Sequence, residues 1–373
     1  MTAFLWNFEP LDTLFIRDGT PFNAGEGGMR GIKSIFPPTI TTCQGAIRTA
    51  LAYGQGWDPG HNELWPKELG GPENLGVLQL RGPFIRREGD FLYEAPLLVL
   101  GNQSGEDTTF HRLYPLVKER ITCDLNPQQG MVLPGLKEKA PGAQPLIGVW
   151  FTKKGIEAVL AGGIPSSQDV FQSNELWDEE GRVGIALDRK KRTAQDSKLY
   201  STFHVRMQRG VSFCVRVEGV PDNWHGQAPS HITFGGEGRV ASIKPELDDG
   251  EYLPRMPELE TDGGKVRFSV ILITPAFFNK DEETRKVIRL GPTSWVPGEC
   301  ISACIGKAVQ IGGWDIARSE PRPLQAFLPA GTTWFFEAEE KYVKQIKALH
   351  GKCLGEKTEM GYGQVIIGRW GGC

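Results

Sequence analysis

The chain is 373 residues long with 39% hydrophobic residues, enough for more than one core, so two domains are expected. Its net charge is −3 and its isoelectric point about 6.1, which excludes a surface basic throughout and leaves room for a local basic patch. No apolar run reaches the ~18 residues that span a bilayer. The N-terminus lacks a basic stretch and a cleavage site, and seven irregularly spaced cysteines argue for a reducing compartment. A cytoplasmic protein with no membrane partner is expected.

In chain order, Phe4, Trp6 and Phe8 alternate with other residues as in a half-buried first strand. A Gly-rich loop follows from Arg17 to Pro38 and carries Arg17, Arg30 and Lys33. A surface loop with solvated charges accounts for that composition; so does a cradle of backbone amides and cations around phosphates. A helix then begins, with Thr41 and Gln44 fitting a capping box, Ile40, Cys43, Ile47 and Leu51 forming the apolar stripe, and Gly54 closing it. Arg48 lies on its polar face. Residues 75–80 and 91–100 read as strands broken by Pro83 and Pro96, and the periodicity fades between 101 and 144, which suggests an insertion. A strand at 146–152 and a short helix at 153–161 follow.

Arg189, Lys190, Lys191, Arg192 and Lys198 form the clearest basic cluster. It reads either as a solvated hairpin tip or as a hairpin gripping phosphates. Residues 199–217 look like a β-hairpin turning at Gly210, with Val211, Phe213, Val215 and Val217 on one face. The turn Phe234-Gly235-Gly236-Glu237-Gly238-Arg239 enters a strand, and Glu359-Met360-Gly361-Tyr362-Gly363-Gln364 does the same near the end, after an amphipathic helix marked by Val343, Ile346 and Leu349. Such a turn suits close approach of a backbone or phosphate. Because it opens a strand, a dinucleotide-binding reading fails. The echo suggests an internal duplication. Acidic, Pro- and Gly-rich residues 245–264 mark the boundary, residues 266–274 begin a new domain, and Gly312-Gly313 is expected to prevent a regular strand end.

No Walker lysine loop, nucleophile elbow, paired acidic motif or metal-ligand spacing is present, so no metal, cofactor or catalytic residue is expected. Cys300 and Cys304 read as core residues. His204, in a strand, is a conceivable general base and more simply a structural histidine.

The runs Phe8–Phe22, Ile301–Lys307 with Gln310–Asp315, and Glu359–Gly368 resemble the RAMP superfamily of CRISPR effector subunits. More narrowly, the resemblance is to the third subunits of type III-B (Cmr) complexes; the 5′-end subunits of type III-A complexes are cousins. It implies an α+β fold of two ferredoxin-like (RRM-related, βαββαβ) domains packed together, with long insertions in the first. The expected division is 1–250 with an insertion at about 101–185, a linker at 251–264, and 265–373. The resemblance also implies a non-catalytic subunit that recognises the 5′ tag of crRNA. Its implied partners are the large polymerase/cyclase subunit and the backbone subunit of the Cmr complex. On this chain the RNA-binding candidates are Arg17, Arg30, Lys33, Arg48, Arg189, Lys190, Lys191, Arg192, Lys198, Gly236, Gly238, Arg239, Lys307, Gly361 and Gly363. A crRNA-processing endoribonuclease using His204 and a protein-only scaffold stay open as alternatives.

Overall fold

The computed structural model describes residues 2–17, 32–104, 107–123, 126–188, 193–315, 318 and 320–370. The chain is a mixed α/β protein, mostly strands with few helices among the described residues, and no described helix is long and apolar enough to cross a membrane. It divides into two compact units. The first is Met1–Gly89, Ser173–Asp248 and Gln310–Gln325; the second is Asp90–Gln172, Asp249–Val309 and Ala326–Cys373.

The first unit is built on β1 (Phe4–Pro10), α1 (Ile40–Gly54), β2 (Gln79–Arg87), β3 (Val211–Glu218), α2 (Asp222–Gln227) and β4 (Val240–Leu247). Its strands lie in the order β2-β3-β1-β4, each antiparallel to its neighbours. β1 is a central strand buried on both faces: Leu5, Trp6, Asn7 and Phe8 are all buried. Phe8 stacks on Phe213 of β3 at 5.1 Å and tilts against Phe234 at 5.4 Å, so aromatic packing joins three segments distant in sequence. α1 buries the expected stripe. Its N-cap, however, is Thr39, and Gln44 donates to the Thr41 carbonyl instead of completing a capping box. Gly54 does end the helix, and a Cβ there would lie 2.8 Å from the Gln227 carbonyl oxygen.

Two local expectations change. β3 does not form a hairpin with residues 199–207; it pairs with β2 and β1. The preceding strand, Thr193–Met207, pairs with Trp177–Asp188. Gly210 supplies the turn at φ +78°, but a turn reverses the chain without choosing the partner. Pro83 lies inside β2, where the pairing with β3 shifts register between Cys214 and Arg216.

The second unit repeats the plan with β5 (Lys265–Leu272), α3 (Asp281–Leu290), β6 (Glu299–Cys304), β7 (Thr333–Glu339), α4 (Val343–Lys347) and β8 (Val365–Arg369). The strand order is β6-β7-β5-β8, again second, third, first, fourth. Phe268, Val270, Trp334, Phe336, Val365 and Ile367 fill its core. α3 has no counterpart in the sequence expectations, because it buries only Val287. Its acidic first turn (Asp281, Glu282, Glu283) and Arg289 in the last turn match the helix dipole.

The stretch expected as an insertion forms two hairpins, Val99–Ser104 with Asp107–Arg112 and Tyr114–Cys123 with Asn126–Gly135. Up to Gln172 it is counted with the second unit. There Arg112 is buried, and its guanidinium donates to the carbonyls of Val159, Gly163 and Arg369. Pro115 faces Pro134 across a two-stranded ladder, where a missing N–H turned outward costs no pairing. Gly312 and Gly313 lie within the strand Val309–Asp315 rather than preventing it.

Candidate nucleic-acid interface

The two glycine turns occupy equivalent places. The Gly236 amide donates to the Phe15 carbonyl at 2.7 Å, and the Gly363 amide donates to the Pro275 carbonyl at 2.7 Å. Phe15 and Pro275 each follow the first strand of their unit. The close approach that glycine permits is therefore met by the chain's own backbone. Gly363 has φ +76°, and a Cβ there would sit 1.9 Å from the Leu354 carbonyl oxygen. The turns differ in exposure. Gly361 and Gly363 are buried, and the Gly361 carbonyl accepts from the Thr274 hydroxyl at 2.7 Å. Gly236 and Gly238 are exposed, and nothing lies within 4 Å of a Cβ on Gly238. Only the first turn presents its glycines to a ligand.

Around that turn the first unit gathers charge. Residues 177–188 and 193–207 form a hairpin, with residues 32–33 running parallel along Thr202 and Phe203. Glu180, Arg182, His204 and Arg206 share one face of it by the two-residue period of a strand. Glu180 receives Nε of Arg182 at 2.9 Å and Nε of Arg206 at 2.7 Å, which fixes both guanidinium planes. Asp12, just past β1, accepts from Nη2 of Arg182 at 3.1 Å, Nη2 of Arg206 at 3.0 Å and Nη1 of Arg239 at 3.2 Å. The Arg182 and Arg206 guanidiniums hold the Asp12 carboxyl down to about 2 and also depress that of Glu180. The Asp12 side chain is 49% exposed and that of Arg206 47% exposed, so the cluster opens to solvent.

His204 lies beneath this cluster with a fully buried side chain. Nδ1 is 3.2 Å from the Thr13 hydroxyl, Nε2 is 3.2 Å from Glu237 Oε2 without hydrogen-bond alignment, and the ring stacks on Phe15 at 4.9 Å. Burial lowers its pKa and the Arg239 charge lowers it further, which leaves a neutral imidazole. A histidine so enclosed cannot reach a ribose hydroxyl in this conformation; it packs the hairpin onto the turn. Glu237 adopts φ +55°, a conformation a non-glycine residue enters at a cost of about 1 kcal/mol.

Of the sequence candidates, Arg239 stands at this cluster; Lys33 lies on the opposite face of the hairpin, beside Glu179 and Phe203, and Arg17 is bridged through its backbone to Ser34. Lys33 Nζ is 3.4 Å from Glu179 and 5.8 Å from the centre of the Phe203 ring. Arg30 and Arg189, Lys190, Lys191 and Arg192 lie outside the described residues, as does the side chain of Lys198, although Asp188 and Thr193 pair on either side of the basic cluster. Arg48 is turned inward: it donates to Gln44 and to the Gly71 carbonyl at 2.7 Å and lies over Trp65. Lys307 is exposed, in the second unit. Sequence reasoning missed Asp12, Glu180, Arg182 and Arg206. The alternation of charge at 180, 182, 204 and 206 was the available signal. Among the described residues no group of His, Cys, Asp and Glu is arranged to hold a metal ion.

The profile of the family described as CRISPR-associated protein (Cas_Cmr3) matches residues 6–370. The CRISPR system CMR subunit Cmr3 of Saccharolobus solfataricus is 27% identical over 84 residues, which are 21% of this chain and only 25% of that relative's length. A chain of the type III-B Cmr-beta complex bound to cognate target RNA is similar in fold, with a TM-score of 0.50 at 16% identity, covering 97% of this chain and 96% of that one. A chain of the Csm3–Csm4 subcomplex of a type III-A interference complex gives a TM-score of 0.42 at 11% identity over 100% of both chains.

Proposed function

This chain belongs to the Cas_Cmr3 family of CRISPR-associated proteins, and on that premise we propose that it is a non-catalytic, RNA-binding subunit of a type III-B effector ribonucleoprotein. In this reading it holds the 5′ tag of crRNA and bridges the large polymerase/cyclase subunit to the backbone subunit, in cytoplasmic defence against invading RNA. The observation that carries the reading is the family match across residues 6–370, nearly the whole chain. The repeated strand order supports the finer reading of two ferredoxin-like halves. The cluster of Arg182, Arg206 and Arg239 supports RNA contact: it is charge-balanced by Asp12, Glu180 and Glu237 in the free chain, and a chain of net charge −3 must hold a polyanion through such local guanidinium donors.

In this proposal the RNA backbone runs past Arg182, Arg206 and Arg239, with Arg17, Arg30, Lys33, Arg189–Arg192 and Lys198 as further contacts. Ultraviolet cross-linking of crRNA in the assembled complex tests it. Adducts between 5′-tag nucleotides and peptides covering residues 12–34, 180–206 or 235–239 are the expected result. Adducts confined to other subunits, with this chain still present in the particle, would make it a protein-only scaffold.

A further inference from the structure

We propose that Asp12 holds the place of an RNA phosphate, and that RNA binding at this face exchanges the Asp12 carboxylate for a phosphodiester. The inference rests on the reading that RNA contacts the first unit. Three guanidiniums from three separate places, the two hairpin strands and the glycine turn, converge on the Asp12 carboxylate at 3.0–3.2 Å. A carboxylate and a phosphodiester each present two anionic oxygens to the same guanidinium donors.

The slot does not depend on Asp12 for its shape. Glu180 grips Arg182 and Arg206 from the other side through Nε and Nη2, at 2.6–2.9 Å. The Arg239 backbone is fixed by the turn, where its carbonyl accepts from the Phe234 amide at 2.7 Å, and its guanidinium lies 3.8 Å from Glu237. When the carboxylate leaves, Glu180 keeps Arg182 and Arg206 in place and Glu237 remains beside Arg239. Three guanidiniums then face the carboxylates of Glu180 and Glu237, which leaves one uncompensated positive charge, the complement of a single phosphodiester.

Exchange is also accessible. Asp12 is half exposed and sits in an irregular segment beside Leu11, whose own side chain is 61% exposed, so the displaced carboxylate passes directly into water. A partner's carboxylate would replace like with like and gain little. The more polarisable, permanently charged phosphodiester, continuous with neighbouring phosphates, gains the release of its own counterions.

The test uses the assembled complex and follows release of labelled crRNA into excess unlabelled RNA across a salt series, for Asp12→Asn, Arg182→Gln, Arg206→Gln and Arg239→Gln. Removing the competing carboxylate is expected to slow release by roughly 3- to 10-fold at low salt and to steepen the salt dependence by about one ion. Each arginine variant is expected to speed release several-fold and flatten that dependence. If the arginine variants speed release while Asp12→Asn speeds it too or leaves it unchanged, RNA lies on this face but Asp12 is a structural tie, and the inference is overturned. If no variant alters release and cross-links avoid these peptides, the RNA reading falls and this inference with it. Asp12→Ser, checked by thermal unfolding beside Asp12→Asn, separates a folding defect from an exchange effect. Slower release with an unchanged melting temperature supports the exchange.

Discussion

Trp6 and His225 tie the stability of the first unit to pH. The Trp6 indole donates to Nδ1 of His225 at 2.9 Å and Phe4 stacks on the ring at 4.0 Å, so the buried imidazole is neutral, and burial pushes its pKa down to about 4 from 6.5. The folded state therefore resists a proton that the unfolded chain accepts. Stability is complete above pH 6.5 and falls as pH drops toward 4, by on the order of 3 kcal/mol. His204 and His350 are lowered by burial as well and act with the same sign. Urea midpoints at pH 7 and pH 4.5 check this; equal midpoints would contradict it. Glycines divide by environment in the same way. Gly363→Ala places a methyl 1.9 Å from a carbonyl oxygen and should cost about 3 kcal/mol or more. Gly238→Ala meets open space at φ +62° and should cost about 1–2 kcal/mol. Thermal unfolding of the two variants would rank them, and a larger loss at Gly238 would be the wrong order.

Among elements, β3 and the hairpin of residues 177–207 behave oppositely. β3 is packed: Phe213 contacts Phe8, Phe36 and Phe234 and is fully buried, so Phe213→Ala should cost about 4 kcal/mol. The hairpin leaves Val183 72% exposed, so Val183→Ser should change stability by no more than about 0.5 kcal/mol. Denaturant unfolding compares them, and a large loss at Val183 would mean that its face is covered. The alternation in β3 was legible because burial on a sheet face repeats every two residues. Its partner was not, since Val211 and Val217 pair with residues more than a hundred positions away in β2, and only the tertiary fold brings that strand alongside. α3 stayed hidden for the converse reason: burying Val287 alone, it carries no apolar stripe to read.

For the whole molecule, the repeated strand order and the net charge have consequences. Both units run strand, helix, strand, strand, helix, strand with the same spatial order, and in both the turn before the last strand docks on the segment after the first. Net charge is −3, and at the site Asp12, Glu180 and Glu237 already partner Arg182, Arg206 and Arg239. The isolated chain is therefore expected to leave heparin below physiological ionic strength, even though the assembled complex retains crRNA. Retention at higher salt would reveal a broad basic surface and move the RNA contact away from this cluster.

The sequence by itself determined the strands and glycine turns whose signals are local: the period-two runs of β1, β3 and β5, the apolar stripe of α1, and the two Gly-x-Gly turns. Through its three motif runs it also pointed to the family. The tertiary structure decided which of those turns is exposed, that Arg48 is spent on Gly71 and Trp65, and that residues 101–172 pack with the second unit. It also decided that Asp12 meets arginines 170, 194 and 227 positions away. A side chain's local pattern records which face it occupies. What that face meets depends on contacts between distant segments, and these exist only once the chain has folded.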